Sequence, residues 1–347
     1  MARRAVIGLD IGTSGIRAAQ LSPGRDGVVL DRFAQVALPD GAVSDGEVVQ
    51  AAPVVQAIKT LMRRGNFRGR DVALGVANQR VVVRQVDLPW MKASELRTSL
   101  PLLVQEYLPM AVEDSILDFH VTEEIYLGEQ RQLRGLLVAA LRDMVTTNVA
   151  AVEAAGLRVR SVDLTSFAVL RSLGNSQQVA TEALVDIGAR VSNLVIHSDG
   201  RPRFVRILLS GGQDVTDAIA ERIGIPVAAA EVVKRGLSSE LSGAEASLAA
   251  SAVDLMTEVF CDDIRSSIDY YSAANPGFPV ERIVVSGGGS LLDGIVDRLA
   301  AATRRPVVAA DPLSSLTIGE TGLDDVQLFT ARHLAAVPVG LALGVLS

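Results

Sequence analysis

The chain has a single cysteine, Cys261, and three scattered histidines, His120, His197 and His333. No disulfide framework and no Cys/His zinc spacing can be drawn from so few. Free cysteines are mostly core residues, so Cys261 reads as buried and inert, and the compartment reads as reducing cytoplasm. Aromatics are only 4%, and 33 basic residues face 40 acidic ones, a net charge of −7. Neither a cationic field for phosphates nor a stacking platform is present, which argues against nucleic acid as a partner. Long hydrophobic runs are missing as well. The apolar stretch after Arg3 and Arg4 is cut at Asp10, too early for a signal-peptide core. The longest run, residues 334–346, is interrupted by Pro338, Gly340 and Gly344 and falls short of the ~18 residues a spanning helix needs, so direct membrane insertion is not expected. Walker A, a full Gly-x-Gly-x-x-Gly after a strand and Gly-x-Ser-x-Gly are all absent. That removes the signatures of P-loop, dinucleotide-binding and the simplest hydrolase chemistry.

What is present is a foldable chain of 347 residues, 49% hydrophobic and 21% charged, enough for about two domains of ~150 residues. Sliding the sequence by 176 places lays Asp10-Ile11-Gly12 on Asp186-Ile187-Gly188. Each triplet follows one β-type run and precedes another, and each second run ends in a turn at the same distance, Pro23-Gly24 and Asp199-Gly200. Strand, Asp-bearing turn, strand and reverse turn are thus written twice, the mark of an internal duplication.

Between the copies the pattern predicts a strand over 28–38, a helix over 46–64 and a strand over 72–76. An α+β insertion over 78–156 follows, in which Pro101 should kink or divide a helix over 93–107. After the second hairpin come a strand over 204–209, a helix over 214–223 and short helices within 225–250. A long amphipathic helix over 251–271 then leads to a buried strand, 282–285, which enters Ser286-Gly287-Gly288-Gly289-Ser290 and a helix over 291–300.

The turn Asp-Ile-Gly-Thr-Ser-Gly-Ile-Arg at 10–17 suits a phosphate. Gly12 and Gly15 bring backbone N–H groups close, Thr13 and Ser14 add hydroxyls, Arg17 reaches an oxygen, and Asp10 holds water around a magnesium ion. The facing turn supplies Asp186 for the same Mg²⁺, Gly188 for close approach and Ser192 as a hydroxyl donor. A strand running into glycines and a helix is a nucleotide-loop context, so Gly287, Gly288 and Gly289 are candidates to accept the nucleoside. On spacing alone, Glu231 and Lys234 make an i,i+3 helix-surface pair worth a few tenths of a kcal/mol.

Duplicated strand-turn units with a third glycine-rich loop resemble the actin, Hsp70 and sugar-kinase superfamily. The sequence is similar over nearly its whole length to the PilM family of type IV pilus assembly proteins. The resemblance is carried, in order, by Gly8-Leu9-Asp10-Ile11-Gly12, Asp87-Leu88-Pro89, Tyr107-Leu108-Pro109, Ala155-Gly156-Leu157, Val162-Asp163 and Asp186-Ile187-Gly188-Ala189. It continues through Asp199-Gly200-Arg201-Pro202, Gly211-Gly212 with Thr216, Ala230-Glu231 with Lys234-Arg235, and the ending Val337-Pro338-Val339-Gly340-Leu341-Ala342-Leu343.

The resemblance implies an α/β, duplicated actin-like (ribonuclease H-like) ATPase fold, with two lobes around a nucleotide cleft. The first lobe would comprise 1–77, 157–179 and 320–347, the inserted α+β subdomain 78–156, and the second lobe 180–319 with a small helical excursion at 225–250. ATP and Mg²⁺ are the implied cofactors, with Glu231 and Lys234 near the ribose and base, Gly287 to Gly289 under the adenosine, Asp10 and Asp186 attending the Mg-phosphates, and Gly211 and Gly212 among the nucleotide-binding residues. The implied function is that of a cytoplasmic adaptor at the inner face of the plasma membrane. Its partner would be the cytoplasmic N-terminal tail of a PilN-like single-pass membrane protein, held in a groove between the first lobe and the insert, with other pilus platform and motor proteins as further partners. An actin-fold small-molecule kinase and an FtsA-like filament protein are the competing classes. The first lacks an identifiable catalytic Asp base, and the second lacks a basic amphipathic tail helix.

Three positions depart from the family pattern. Arg17 replaces a Lys, exchanging a point charge for a planar fork, and Val191 replaces a hydroxyl residue. The segment Asp163-Leu164-Thr165-Ser166-Phe167 lacks the Glu that orients attacking water, which predicts ATP binding with slow or absent hydrolysis.

Overall fold

The computed structural model describes residues 5–25, 27–174, 179–237 and 241–346. Its framework is two sheets with one plan. In the first, the order is Arg158–Leu164, Asp71–Val76, Val6–Ile11, Gly15–Pro23, Val28–Ala37, with the short strand Thr317–Ile318 added at the edge. In the second it is Val307–Ala309, Arg282–Ser286, Thr181–Asp186, Ser192–Ser198, Arg201–Leu208. Each sheet joins three antiparallel strands of a meander to two parallel ones. The 176-residue offset survives down to register: Asp10 lies opposite Arg17, and Asp186 lies opposite Asn193.

Alternation along the central strands sends side chains to two cores. On the first sheet Ile7, Leu9 and Leu74 pack beneath Val54, Ile58 and Leu61 of the helix Ala51–Arg64 and Val152 of the helix Arg142–Ala154. On the second, Ala183, Val185 and Ile283 meet Phe260, Ile264 and Ile268 of the helix Gly243–Ala274. A third core joins the lobes, because Ala168 and Val169 of the helix Thr165–Leu173 share it with Leu184, Val195, Val337 and Leu341. That helix touches the helix Ala336–Leu346 so closely that a Cβ on Gly340 would fall 1.8 Å from the Ala168 carbonyl oxygen. Only glycine permits two helix backbones to meet at such a distance.

The insertion is a three-stranded antiparallel sheet, with Gln130–Leu141 between Val81–Pro89 and Ser115–Leu127, covered by the helix Ala93–Leu103. It has its own core of Val86, Leu88, Leu96, Leu100, Leu133 and Leu137. It also reaches the second lobe, where Arg203 donates to Glu123 at 3.0 Å.

Several expectations are corrected. The helix expected over 46–64 starts at Ala51, because Asp45 and Gly46 adopt positive φ (49° and 86°) and turn 43–48 into a tiny hairpin. Such Asp-Gly turns are favoured between paired strands. The long helix extends back to Gly243 because Ser242 and Glu245 form a capping box, leaving Val227–Lys234 as the one separate short helix described within 225–250. The helix expected over 291–300 begins at Ile295, after a 3₁₀ turn at Gly288–Leu291 and left-handed Gly294. Pro101 sits in the last turn of its helix, which ends at Leu103 before a separate 3₁₀ turn at Gln105–Tyr107. Pro338, read as an interruption, lies in the first turn of one continuous helix, where its missing N–H has no intrahelical partner to lose.

Cys261 is buried as expected, and burial pushes its thiol up to about 11. Among the described residues no single helix is long and apolar enough to cross a membrane. A bent pair, Asp325–Leu334 and Ala336–Leu346 meeting at 74°, qualifies by composition, but the second of these is largely core.

Candidate functional site

Both hairpin turns and the glycine loop come together at one end of the central strands. In the first turn the Gly12 N–H donates to the Gly15 carbonyl at 3.0 Å and the Leu38 N–H to the Ser14 carbonyl at 3.0 Å, which fixes Thr13 and Ser14 at the surface. Asp10 points inward and is met by Arg17 Nη1 at 3.4 Å. Burial raises the Asp10 carboxyl above its ordinary range, with Arg17 opposing.

Asp186 ends its strand opposite Ser286, and Ser286 Oγ donates to Asp186 Oδ1 at 2.7 Å. Burial, with the negative charge of Asp10 adding to it against the Ser286 hydrogen bond, pushes Asp186 up to about 6. Two buried carboxyls, one raised by the charge of the other, suit a divalent cation. Among the described residues no group of three His, Cys, Asp or Glu could cage an ion. Asp10 and Asp186 could hold a hydrated divalent cation of the kind that accompanies a nucleotide.

The second turn is bound to the start of the helix Gly212–Ile223. The Gly212 N–H donates to the Gly188 carbonyl at 3.0 Å, the Gln213 N–H to the Ala189 carbonyl at 2.7 Å, and the Gly211 N–H to Asp214 Oδ2 at 2.8 Å. Lys234 Nζ reaches back to the Gly212 carbonyl at 2.9 Å and to Glu231 Oε2 at 2.7 Å. Glu231 also accepts from Thr216 Oγ1 and Arg235 Nε, each at 2.7 Å. Burial pushes its carboxyl up, yet Lys234, Thr216 and Arg235 together hold it below the usual carboxylate range. Glu231 and Lys234 are thus more than a helix-surface pair, since they tie their helix to the cleft.

Gly287 has φ +83°, and a Cβ there would lie 2.4 Å from the Ile187 carbonyl oxygen, so the loop can follow this path only as glycine. Its N–H donates to the His333 carbonyl, and the Gly289 N–H to the Ile187 carbonyl, both at 2.8 Å. Gly288 lies beside Leu334. Between Gly212 and Gly289 opens a small cavity walled by Met256, Val259, Phe260 and Ile295. Apolar walls with backbone polar groups at the rim suit a flat heteroaromatic ring.

Most of the expected residues therefore share one place: Asp10, Asp186, Gly188, Gly211, Gly212, Glu231, Lys234, Gly287 and Gly289. Gly15 lies in the sheet against Val36 and Ala37, and Arg17 is engaged with Asp10. Ser192 is turned away, fully buried with Oγ donating to the Ser210 carbonyl at 2.7 Å. Sequence reasoning missed Ser286, Thr216 and the apolar wall from the long helix. Ser286 had a signal, because the strand leading into the glycines must pair in parallel beside Asp186.

Asn193 was missed too. Its Oδ1 accepts from Thr165 Oγ1 at 3.0 Å and Ser166 Oγ at 2.9 Å, all three residues being buried where the lobes meet. Asp163, at the head of this segment, pairs with Arg171 at 2.8 Å.

A second feature lies between the insert and the first lobe. The strand Ser115–Leu127 pairs only with Gln130–Leu141, and Arg158–Leu164 only with Asp71–Val76, so among the described residues each has one free edge. The His120 ring stands 5.6 Å from Phe167. Asp163 is raised chiefly by burial, with Asp118 adding to the rise and Arg171 and His120 opposing it. Asp118, His120, Asp163 and Phe167 therefore lie close together beside these edges.

Two sheets of identical plan, each presenting an aspartate-bearing hairpin turn to a shared cleft, define an actin-like fold. The family model for type IV pilus assembly protein PilM matches residues 8–345, and the chain belongs to that family. It is similar to a solved structure of a PilM-PilN type IV pilus biogenesis complex, with 26% identity, 99% of each chain covered and a TM-score of 0.86. The ethanolamine utilization protein EutJ from Carboxydothermus hydrogenoformans shares the fold at 15% identity, with a TM-score of 0.59, over 99% of this chain and 90% of that one.

Proposed function

We propose that this chain is a nucleotide-dependent adaptor of the type IV pilus assembly platform, acting at the cytoplasmic face of the membrane. The observation that carries the reading is the convergence of Asp10, Asp186, Lys234 and the Gly287–289 loop on one cleft between duplicated sheets. ATP with Mg²⁺ fits this set, the phosphates between the two turns and the base against Met256 and Val259. The ion would neutralise the developing charge of the phosphate region. Asp10 and Asp186 hold its water shell, and Lys234 offers a charge-assisted donor on the ribose side.

The partner is the N-terminal tail of a PilN-like single-pass membrane protein. The free strand edges beside Asp118, His120 and Phe167 support this, because an extended tail can pair with such an edge while a cationic group meets Asp118. Closure around ATP can bias this site only by as much as ATP binds the closed form better. Hydrolysis is slow or absent, since the segment 163–167 carries no Glu to orient water and its Thr165 and Ser166 are held by Asn193.

Titration with ATP–Mg²⁺ and with a synthetic tail peptide tests both halves. The peptide is expected to bind the wild type and to lose about tenfold in affinity on Asp118→Arg, the scale of one charge-assisted contact. Equal binding by this variant overturns the placement, and no ATP binding overturns the adaptor reading itself.

A further inference from the structure

At the end of the first sheet opposite the Asp10 turn, the strand ends and the loops joining them are crowded with arginines. Arg25 follows the strand Gly15–Pro23, Arg63 and Arg64 close the helix Ala51–Arg64, Arg68 and Arg70 lead into Asp71–Val76, and Arg158 and Arg160 open the last parallel strand. All seven are exposed. Arg25 and Arg160 line one cavity of about 730 Å³, Arg68 and Arg70 line its neighbour, and Asp71 belongs to both walls. The backbone confirms the adjacency, with the Arg158 N–H donating to the Arg70 carbonyl at 2.7 Å and the buried Gln20 side chain bonded to the Arg68 backbone at 2.9 and 3.1 Å.

The balance of charge here is one-sided. Asp71 is taken up by Arg158 and Arg160 at 2.8 and 3.1 Å. Arg25, Arg63, Arg64, Arg68 and Arg70 make no side-chain hydrogen bond or ion pair among the described residues. Asp31 and Glu320 also line the second cavity, with Arg32 between their backbone carbonyls. In a chain whose net charge is −7, such a concentration of unpaired cations at one end gives the molecule a strong electrostatic polarity.

We propose that this arginine-rich end of the first lobe docks on an anionic phospholipid surface. Guanidinium groups bind phosphate in a planar fork and stay charged at any physiological pH. The arginines are spread over several strand ends instead of gathered into one pocket, which matches a plane of headgroups better than a single phosphorylated side chain. No exposed aromatic lies among them. Phe67 packs into the core, so the stacking on which single-stranded nucleic acid binding depends is missing. Electrostatic docking of this kind adds about fivefold in affinity per arginine near the surface and is screened by salt. It would orient the protein with its cleft away from the lipid.

Flotation of the full chain with phosphatidylcholine vesicles, with or without phosphatidylglycerol, tests this without any partner, so it stands or falls apart from the adaptor reading. The protein is expected to float only with phosphatidylglycerol vesicles and to be released by high salt. Arg25→Glu, Arg68→Glu and Arg70→Glu together should abolish flotation. Among the described residues these side chains have no partner to lose, so an unchanged melting temperature checks the fold. A control triple reversal at Arg97, Arg222 and Arg304 should float like the wild type. Failure to float with phosphatidylglycerol overturns the proposal, as does equal loss in the control, or binding of a fluorescent oligonucleotide in its place.

Discussion

Asp10 and Asp186 occupy equivalent places in two copies of one hairpin, and the charge of the first raises the proton affinity of the second. Each is costly to bury alone, and Arg17, 3.4 Å from Asp10, is the cation that opposes the rise in both.

That relationship fixes a pH dependence. Asp186 is raised from 3.8 to about 6 in the folded chain. The folded state then takes up the proton before the unfolded one, so the group lowers stability above about 6, and this loss is recovered as pH falls towards 3.8. The swing is on the order of 3 kcal/mol. Urea denaturation of the ligand-free protein should show stability rising on acidification through this window, and Asp186→Asn should flatten the rise, leaving the part due to Asp10. An unchanged slope in the variant would show that Asp186 titrates normally.

Nucleotide binding should lean on the tie between Lys234 and Gly212. Lys234→Ala is expected to weaken ATP–Mg²⁺ about tenfold in calorimetric titration, the ~1.4 kcal/mol scale of one charge-assisted contact. Thr216 and Arg235 remain to satisfy Glu231, so the melting temperature should move little.

Asn193 offers a separate stability test. Asn193→Ala leaves two buried hydroxyls, Thr165 and Ser166, without their acceptor, and is expected to lower the unfolding free energy by about 2 kcal/mol. Adding Thr165→Val and Ser166→Ala should restore part of this loss. If the triple variant is less stable than Asn193→Ala, the hydroxyls do not depend on Asn193.

Gly340→Ala should be strongly destabilising. Its Cβ would lie 1.8 Å from the Ala168 backbone, so the helices Thr165–Leu173 and Ala336–Leu346 must separate, at a cost of about 3 kcal/mol. A melting temperature within a degree or two of wild type would contradict this close approach.

The duplicated hairpins were legible because their signal is local: β-type runs, an Asp-x-Gly turn and a reverse turn at fixed distances. The glycine loop was legible for the same reason. What escaped was either nonlocal or committed elsewhere. Ser286 and Asn193 matter only through the residues that pairing brings opposite them. Ser192 looked like a phosphate donor until Ser210 was seen to take its hydroxyl. Glu231 and Lys234 carried no distinguishing pattern, because an i,i+3 pair on a surface and one that grips Gly212 read alike in sequence. The helix boundaries missed at 46–51 and 243–251 were decided by an Asp-Gly turn and a capping box, each visible once helix ends are weighed as carefully as helix periodicity.

The packing of the helix Ala336–Leu346 on the strand Val6–Ile11 has a temporal meaning. A ribosome delivers Val6 long before Ala336, so the first lobe must wait with one face of its central strand uncovered while the second lobe, contiguous in the chain, can already assemble. The first sheet, although begun earlier, is therefore expected to complete its core after the second.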